Sequence, residues 1–72
     1  MEFRNKENSF EWENHLGEEG SIEICEDKVQ LFLSGYDGFG EFNHGETKLD
    51  PNDLIRIGEE MVKMGQMLRD RQ

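Results

Sequence analysis

Leu49-Asp50-Pro51-Asn52-Asp53-Leu54 divides this 72-residue chain into two parts of different character. Asp50 offers an N-cap acceptor, Pro51 takes the first helical position, where a missing N–H costs nothing, and Asp53 sets a negative charge at the positive helix end. A helix is therefore predicted to begin at Pro51 and to run to about residue 70. Within it Leu54, Ile57, Gly58, Met61, Gly65 and Leu68 recur at spacings of three and four and share one side. Gly58 and Gly65 each cost about 1 kcal/mol in a helix interior, so the centre of that side is expected to receive a bulky group, with Trp12 as the first choice. Ile55 and Val62 widen the apolar arc on one flank and Met64 on the other, beyond what one thin sheet covers. Two readings stay open here: a broad helix lying across a curved sheet, or a homodimer closed through Ile55, Met61, Val62 and Met64.

Upstream of Asp50 the pattern changes to period two. Phe10-Glu11-Trp12-Glu13 alternates large apolar with acidic residues, as a half-buried strand does. Gly17-Glu18-Glu19-Gly20 reads as a turn, and Ser21-Ile22-Glu23-Ile24-Cys25 as a second strand. After the short polar turn Glu26-Asp27, Val29, Leu31 and Leu33 share one face of a third strand, which sends Phe32 to the other face beside Lys28 and Gln30. Ser34 to Gly40, with three glycines and an Asp-Gly pair, is predicted to join this strand to a fourth near Phe39 to Asn43. Asn43-His44-Gly45-Glu46 reads as a further turn before a short extended piece at Thr47-Lys48-Leu49. The expected fold is α+β, a single domain over residues 1–72: an antiparallel sheet of about four short strands in an acidic part, 1–50, packed by one amphipathic C-terminal helix, 51–72.

Charge follows the same division. Residues 1–50 hold thirteen acids against four bases, and residues 51–72 hold four of each, so the whole net charge of −9 belongs to the sheet part. A field of one sign attracts cationic partners and repels phosphates and anionic membranes. Direct nucleic acid binding is thus disfavoured, and Arg56, Lys63, Arg69 and Arg71 read as the solvated polar side of the helix. No stretch approaches the roughly 18 apolar residues of a membrane span, and Met1-Glu-Phe-Arg-Asn-Lys-Glu7 lacks the apolar run of a signal peptide. The lone Cys25 excludes an internal disulfide. A cytoplasmic location and self-association are the expectations for so small a chain.

The residues that carry catalysis elsewhere do not assemble into a signature. Gly35-Tyr36-Asp37-Gly38-Phe39-Gly40 lacks the Lys-Ser/Thr of a phosphate-binding loop and no helix follows it directly, so it reads as turn chemistry. Asp37, Glu41, His44 and Glu46 match no metal-ligand spacing and read as a solvated acidic loop. Cys25 falls by parity beside Glu23, with nothing to bring His15 or His44 to it as a base. A thin sheet with one helix also leaves little room for a pocket of about 300 Å³. The expectation is a non-enzymatic protein with no cofactor and no metal.

What parity does gather is a surface. Glu11, Glu13, Glu23, Cys25, Gln30, Phe32 and Glu41 fall on the non-core face, with Tyr36, Asp37 and Phe39 on the adjoining loop. Aromatic anchors among acids suit a protein-binding patch, in which rings supply affinity and charges steer. The predicted partner-binding residues are therefore Glu11, Glu13, Glu23, Phe32, Tyr36, Asp37, Phe39 and Glu41. The same acids would also serve solubility and discourage edge pairing. Short strands, then Leu49-Asp50-Pro51-Asn52-Asp53-Leu54, then a closing amphipathic helix resemble in outline many small proteins of phages and mobile elements. Size, acidity and the lack of catalytic residues are similar to anti-CRISPR inhibitors. That resemblance spans the whole chain in outline and carries over no functional residue. It implies an inhibitor that occupies a basic nucleic-acid-binding or assembly surface of a nuclease complex in a bacterial host cell. The expectation of a DNA mimic comes from Glu11 and Glu13 themselves, which stand about 6.6 Å apart on one strand face as a short row of negative charge. A structural or assembly module acting as a homodimer is the alternative.

Overall fold

The computed structural model describes residues 1–72. Five strands, β1 (Glu2–Asn5), β2 (Ser9–Glu13), β3 (Glu19–Cys25), β4 (Lys28–Tyr36) and β5 (Phe42–Leu49), precede the helix α1 (Pro51–Asp70). The strands lie in chain order, each antiparallel to the next, so the sheet is a simple meander. The class is α+β as expected, with five strands rather than four.

Register separates two faces. Phe3, Trp12, Gly20, Leu33 and Gly45 stand in line across all five strands, and Phe10, Ile22, Leu31 and Thr47 form the next line. With Ile24, Val29 and Leu49 these make the apolar face. Residues of opposite parity, among them Glu11, Ser21, Phe32 and Glu46, make the polar face. Alternation in β2, β3 and the first half of β4 is thus the pattern read from the sequence, because a one-residue slip would turn every apolar side chain to the wrong side.

Three elements depart from expectation. β1 was not anticipated, since Glu2-Phe3-Arg4-Asn5 has a single apolar residue; it is held by stacking of Phe3 on Phe10, with centroids 5.9 Å apart, and by Arg4 beside Glu11 at 3.6 Å. Gly20 lies inside β3, and the turn falls earlier. There Asn14 binds the turn together, its Oδ1 accepting from the N–H groups of Leu16 and Glu18 at 3.0 Å each. β5 runs unbroken through Asn43-His44-Gly45-Glu46, where turn chemistry predicted a reversal. Pairing along the whole of β4 overrides that local preference.

The β4–β5 reversal is built on Asp37. Its Oδ1 accepts from Phe39 N–H at 2.8 Å and Glu41 N–H at 3.0 Å, while Oδ2 accepts from Asn43 Nδ2 at 2.9 Å. These donors favour the anion and hold the Asp37 carboxyl below its ordinary range, the Glu41 amide first among them. Glu18 is held low in the same way by the Asn14 amide and then Tyr36 N–H, both at 2.8 Å. For a depressed carboxyl the stabilisation is full above the ordinary value of about 4 and is lost as pH falls through the folded value. Asp37→Ala is therefore expected to lower stability at neutral pH and to flatten its fall between about pH 5 and pH 2, as read by urea unfolding at a series of pH values. A slope unchanged from the native chain would remove Asp37 from this role.

The helix begins where the sequence places it, but not by the expected contact. The Asp50 side chain makes no capping bond and instead pairs with Lys28 Nζ, tying the start of β4 to the start of α1, while Asp50 O accepts from Leu54 N–H at 3.0 Å. The Lys28 ammonium is raised above its ordinary range by that bond. α1 makes its principal approach to β4, and no residue of the helix is buried. Leu54, Ile57 and Gly58 are half-covered, and every residue after Glu60 is exposed. Trp12 does not reach the helix glycines. Its ring lies against Gly20, where an added Cβ would fall 2.1 Å from the indole, whereas nothing lies within 4 Å of a Cβ placed at Gly58 or Gly65. The expected core face of α1 is thus packed over its first two turns only.

Candidate protein-binding surface

The polar face is assembled by parity from all five strands. Glu2, Glu13 and Glu19 are direct cross-strand partners on β1, β2 and β3. Adjacent strands are about 4.8 Å apart, so three carboxylates stand in a short row with no ion pair to any of them, apart from Arg4 near Glu2 at 3.7 Å. Like charges placed directly opposite destabilise a sheet. Glu23 lies two lines further along β3, beyond Ser21, beside Gln30 of β4 and without an ion pair.

Glu11 is different. Lys6 Nζ lies 2.7 Å from one of its oxygens and Arg4 3.6 Å from the other, and Lys6 first, then Arg4, hold its carboxyl below the usual range. Its charge is already answered within the chain. Glu46 is likewise occupied, accepting from Gln30 Nε2 at 2.6 Å. The open negative charge of the face is therefore concentrated at Glu13, Glu19 and Glu23 rather than at Glu11.

Aromatic groups occupy the other end of the same face. Phe32 of β4 leans on the His44 ring, with centroids 6.2 Å apart. This neighbour, together with its half-buried setting, accounts for an apolar ring among polar side chains. Tyr36 meets Phe42 edge to face at 5.1 Å, and both rings are about half exposed. Phe39 projects from the tip of the β4–β5 turn, 94% exposed.

Of the residues expected here, Glu11, Glu13, Glu23, Phe32 and Tyr36 share the polar face, and Phe39 stands at the tip of the adjoining turn. Asp37 and Glu41 belong to the turn itself, Asp37 with both carboxylate oxygens committed to it. Sequence reading missed Glu2, Glu19 and Phe42. A fourth strand starting near Phe39 puts Glu41 on the non-core face and Phe42 on the opposite one; β5 starts at Phe42, which pairs with Tyr36. Glu19 was hidden by the reading of Gly17 to Gly20 as a turn, although its parity with Glu23 places it on this face. The dimer residues expected on α1, Ile55, Met61, Val62 and Met64, are all exposed and none touches the polar face of the sheet.

Three depressions exceed the room that so thin a scaffold was expected to leave. One, about 410 Å³, lies among Ser34, Tyr36, Asp37 and His44 at the far end of β4, a second, about 370 Å³, lies among Met1, Glu2, Glu13 and His15, and the third, about 310 Å³, lies among Phe10, Ile22, Ile24, Val29 and Leu54. All three are open grooves. Asp37, Glu41, His44 and Glu46 do not converge, and no group of three or more His, Cys, Asp or Glu side chains is placed to hold a metal ion. Cys25 Sγ has Glu23 and Gln30 as its polar neighbours, each at 3.8 Å. No helix is long and apolar enough to cross a membrane. No family model matches the chain, and no curated protein or solved structure matches it either.

Proposed function

We propose that this chain is a non-enzymatic binding protein whose acidic sheet face docks on a basic surface of a partner protein, a surface of the kind that otherwise holds nucleic acid or closes an assembly. The observation that carries this reading is the row Glu2-Glu13-Glu19, three carboxylates set directly opposite one another across neighbouring strands. Their repulsion costs folding stability and is relieved when cationic side chains settle over them. Tyr36, Phe42 and Phe39 supply apolar anchors beside the charge, the pairing of exposed rings with flanking acids that protein interfaces use. The resemblance in outline to anti-CRISPR inhibitors makes the nuclease complexes of bacterial cytoplasm the first partners to test.

The test is capture of purified CRISPR effector complexes, and of other basic nucleases, on the immobilised chain. Binding is expected to weaken steeply with salt and to fall at least about tenfold, or 1.4 kcal/mol, in the double variant Glu13→Lys, Glu19→Lys. Glu11→Gln is expected to change binding little, because Lys6 and Arg4 already answer that charge. Retention that is indifferent to salt and to the double reversal, or no binding to any basic nuclease, would overturn the reading.

A further inference from the structure

The face opposite the carboxylates exposes more apolar surface than a self-contained chain of this size does. A compact monomer of 8.5 kDa has an accessible surface of about 4,700 Å² by the scaling for folded monomers, whereas this chain has 6069 Å². Its radius of gyration of 13.7 Å likewise exceeds the roughly 11 Å of a compact chain of 72 residues. Val29 is its one buried apolar side chain. Phe3, Ile24 and Leu33 on the sheet, and Met61, Met64 and Leu68 on α1, are each more than half exposed.

We propose that a second copy of this chain covers that face, the apolar side of the sheet and the unpacked length of α1 meeting the same surfaces of a two-fold partner. The area fits. An excess of about 1,400 Å² on each chain gives about 2,800 Å² in total, within the range of roughly 2,000 to 5,000 Å² buried by obligate homodimers. The charge fits as well, since residues 51–72 carry four acids and four bases, the apolar sheet lines carry none, and Glu18, which lies on that side beside Gly35, is already hydrogen-bonded to Asn14 and Tyr36, so two chains of net charge −9 meet through their least charged sides. Gly58 and Gly65 then acquire a reason. They sit in the apolar stripe of α1 with nothing of their own chain beside them, and they let a partner backbone approach closely. Because so little apolar surface is closed within one chain, a lone copy is only marginally stable, and an identical copy is the partner always present at synthesis.

Sedimentation equilibrium of the purified chain is expected to give about twice 8.5 kDa, with a urea midpoint that rises with protein concentration. Met64→Glu is expected to abolish the dimer mass, with or without loss of the fold, while Met64→Leu keeps it. The proposal is independent of the acidic face, so Glu13→Lys with Glu19→Lys is expected to leave the dimer mass unchanged even where it ends partner capture. A monomer that unfolds cooperatively at a concentration-independent midpoint would overturn it. So would Met64→Glu chains that keep the native dimer mass and midpoint, or a native chain that is folded only in complex with a different protein.

Discussion

Gly20→Val is expected to cost about 3 kcal/mol, near the upper end for overpacking, and so to remove most of the roughly 3–5 kcal/mol that a single small core supplies. The reason is local and geometric. A Cβ at this position would lie 2.1 Å from Cζ2 and 2.3 Å from Cε2 of Trp12, inside the indole rather than beside it. Either the ring swings off the sheet into water, or β2 and β3 separate at a paired position. Gly45 provides the internal control. It stands in the same line of the apolar face, two strands away, and a Cβ there meets nothing within 4 Å. Gly45→Ala is accordingly expected to be neutral or slightly stabilising, since alanine suits a strand interior better than glycine. Urea unfolding of the two variants side by side checks the claim, and equal effects would show that the Trp12–Gly20 contact does not govern the packing of β2 on β3.

Val29→Ala is expected to destabilise by about 2 kcal/mol, the transfer of two methyl groups plus the space left behind. Val29 is flanked by Ile24 and Leu49 on neighbouring strands and lies close to Leu54 at the start of α1. It is the point at which sheet and helix close on each other. Ile55→Ala, by contrast, removes a larger side chain from an exposed position of the same helix. In the isolated chain its effect is expected within about half a kcal/mol. If the two substitutions cost the same in urea unfolding at low protein concentration, the hydrophobic contact is distributed along α1 rather than concentrated at its first turns.

Much of this architecture was legible because local and global preferences agree. Asp50-Pro51 marks the helix start, and Phe10/Trp12, Ile22/Ile24 and Val29/Leu31/Leu33 set the faces of three central strands in the register observed. What was illegible depended on partners distant in sequence. Glu2 to Asn5 becomes a strand only because Phe3 finds Phe10 and Arg4 finds Glu11. Asn43 to Glu46 carries turn residues and is nevertheless extended, since β4 offers it a complete ladder. The acidic half of the binding surface was visible through Glu13 and Glu23, but the weights within it were not. No spacing rule reveals that Lys6 and Arg4 neutralise Glu11, or that Asp37 spends its carboxylate on the backbone of its own turn. The expected seating of Trp12 on the helix failed for a related reason: once Gly20 is read as a turn, the flat site that receives the indole disappears from view.

The chain has one tryptophan and one tyrosine, and the sheet sets them on opposite sides, Trp12 in line with Leu33 and Tyr36 paired with Phe42. The native molecule thereby carries two optical handles without any label. Indole emission, excited at wavelengths the phenol does not absorb, follows solvent access to one side of the sheet, while phenol signals follow the other. A titration that moves only the first of these signals identifies the side on which the event took place before any substitution is made.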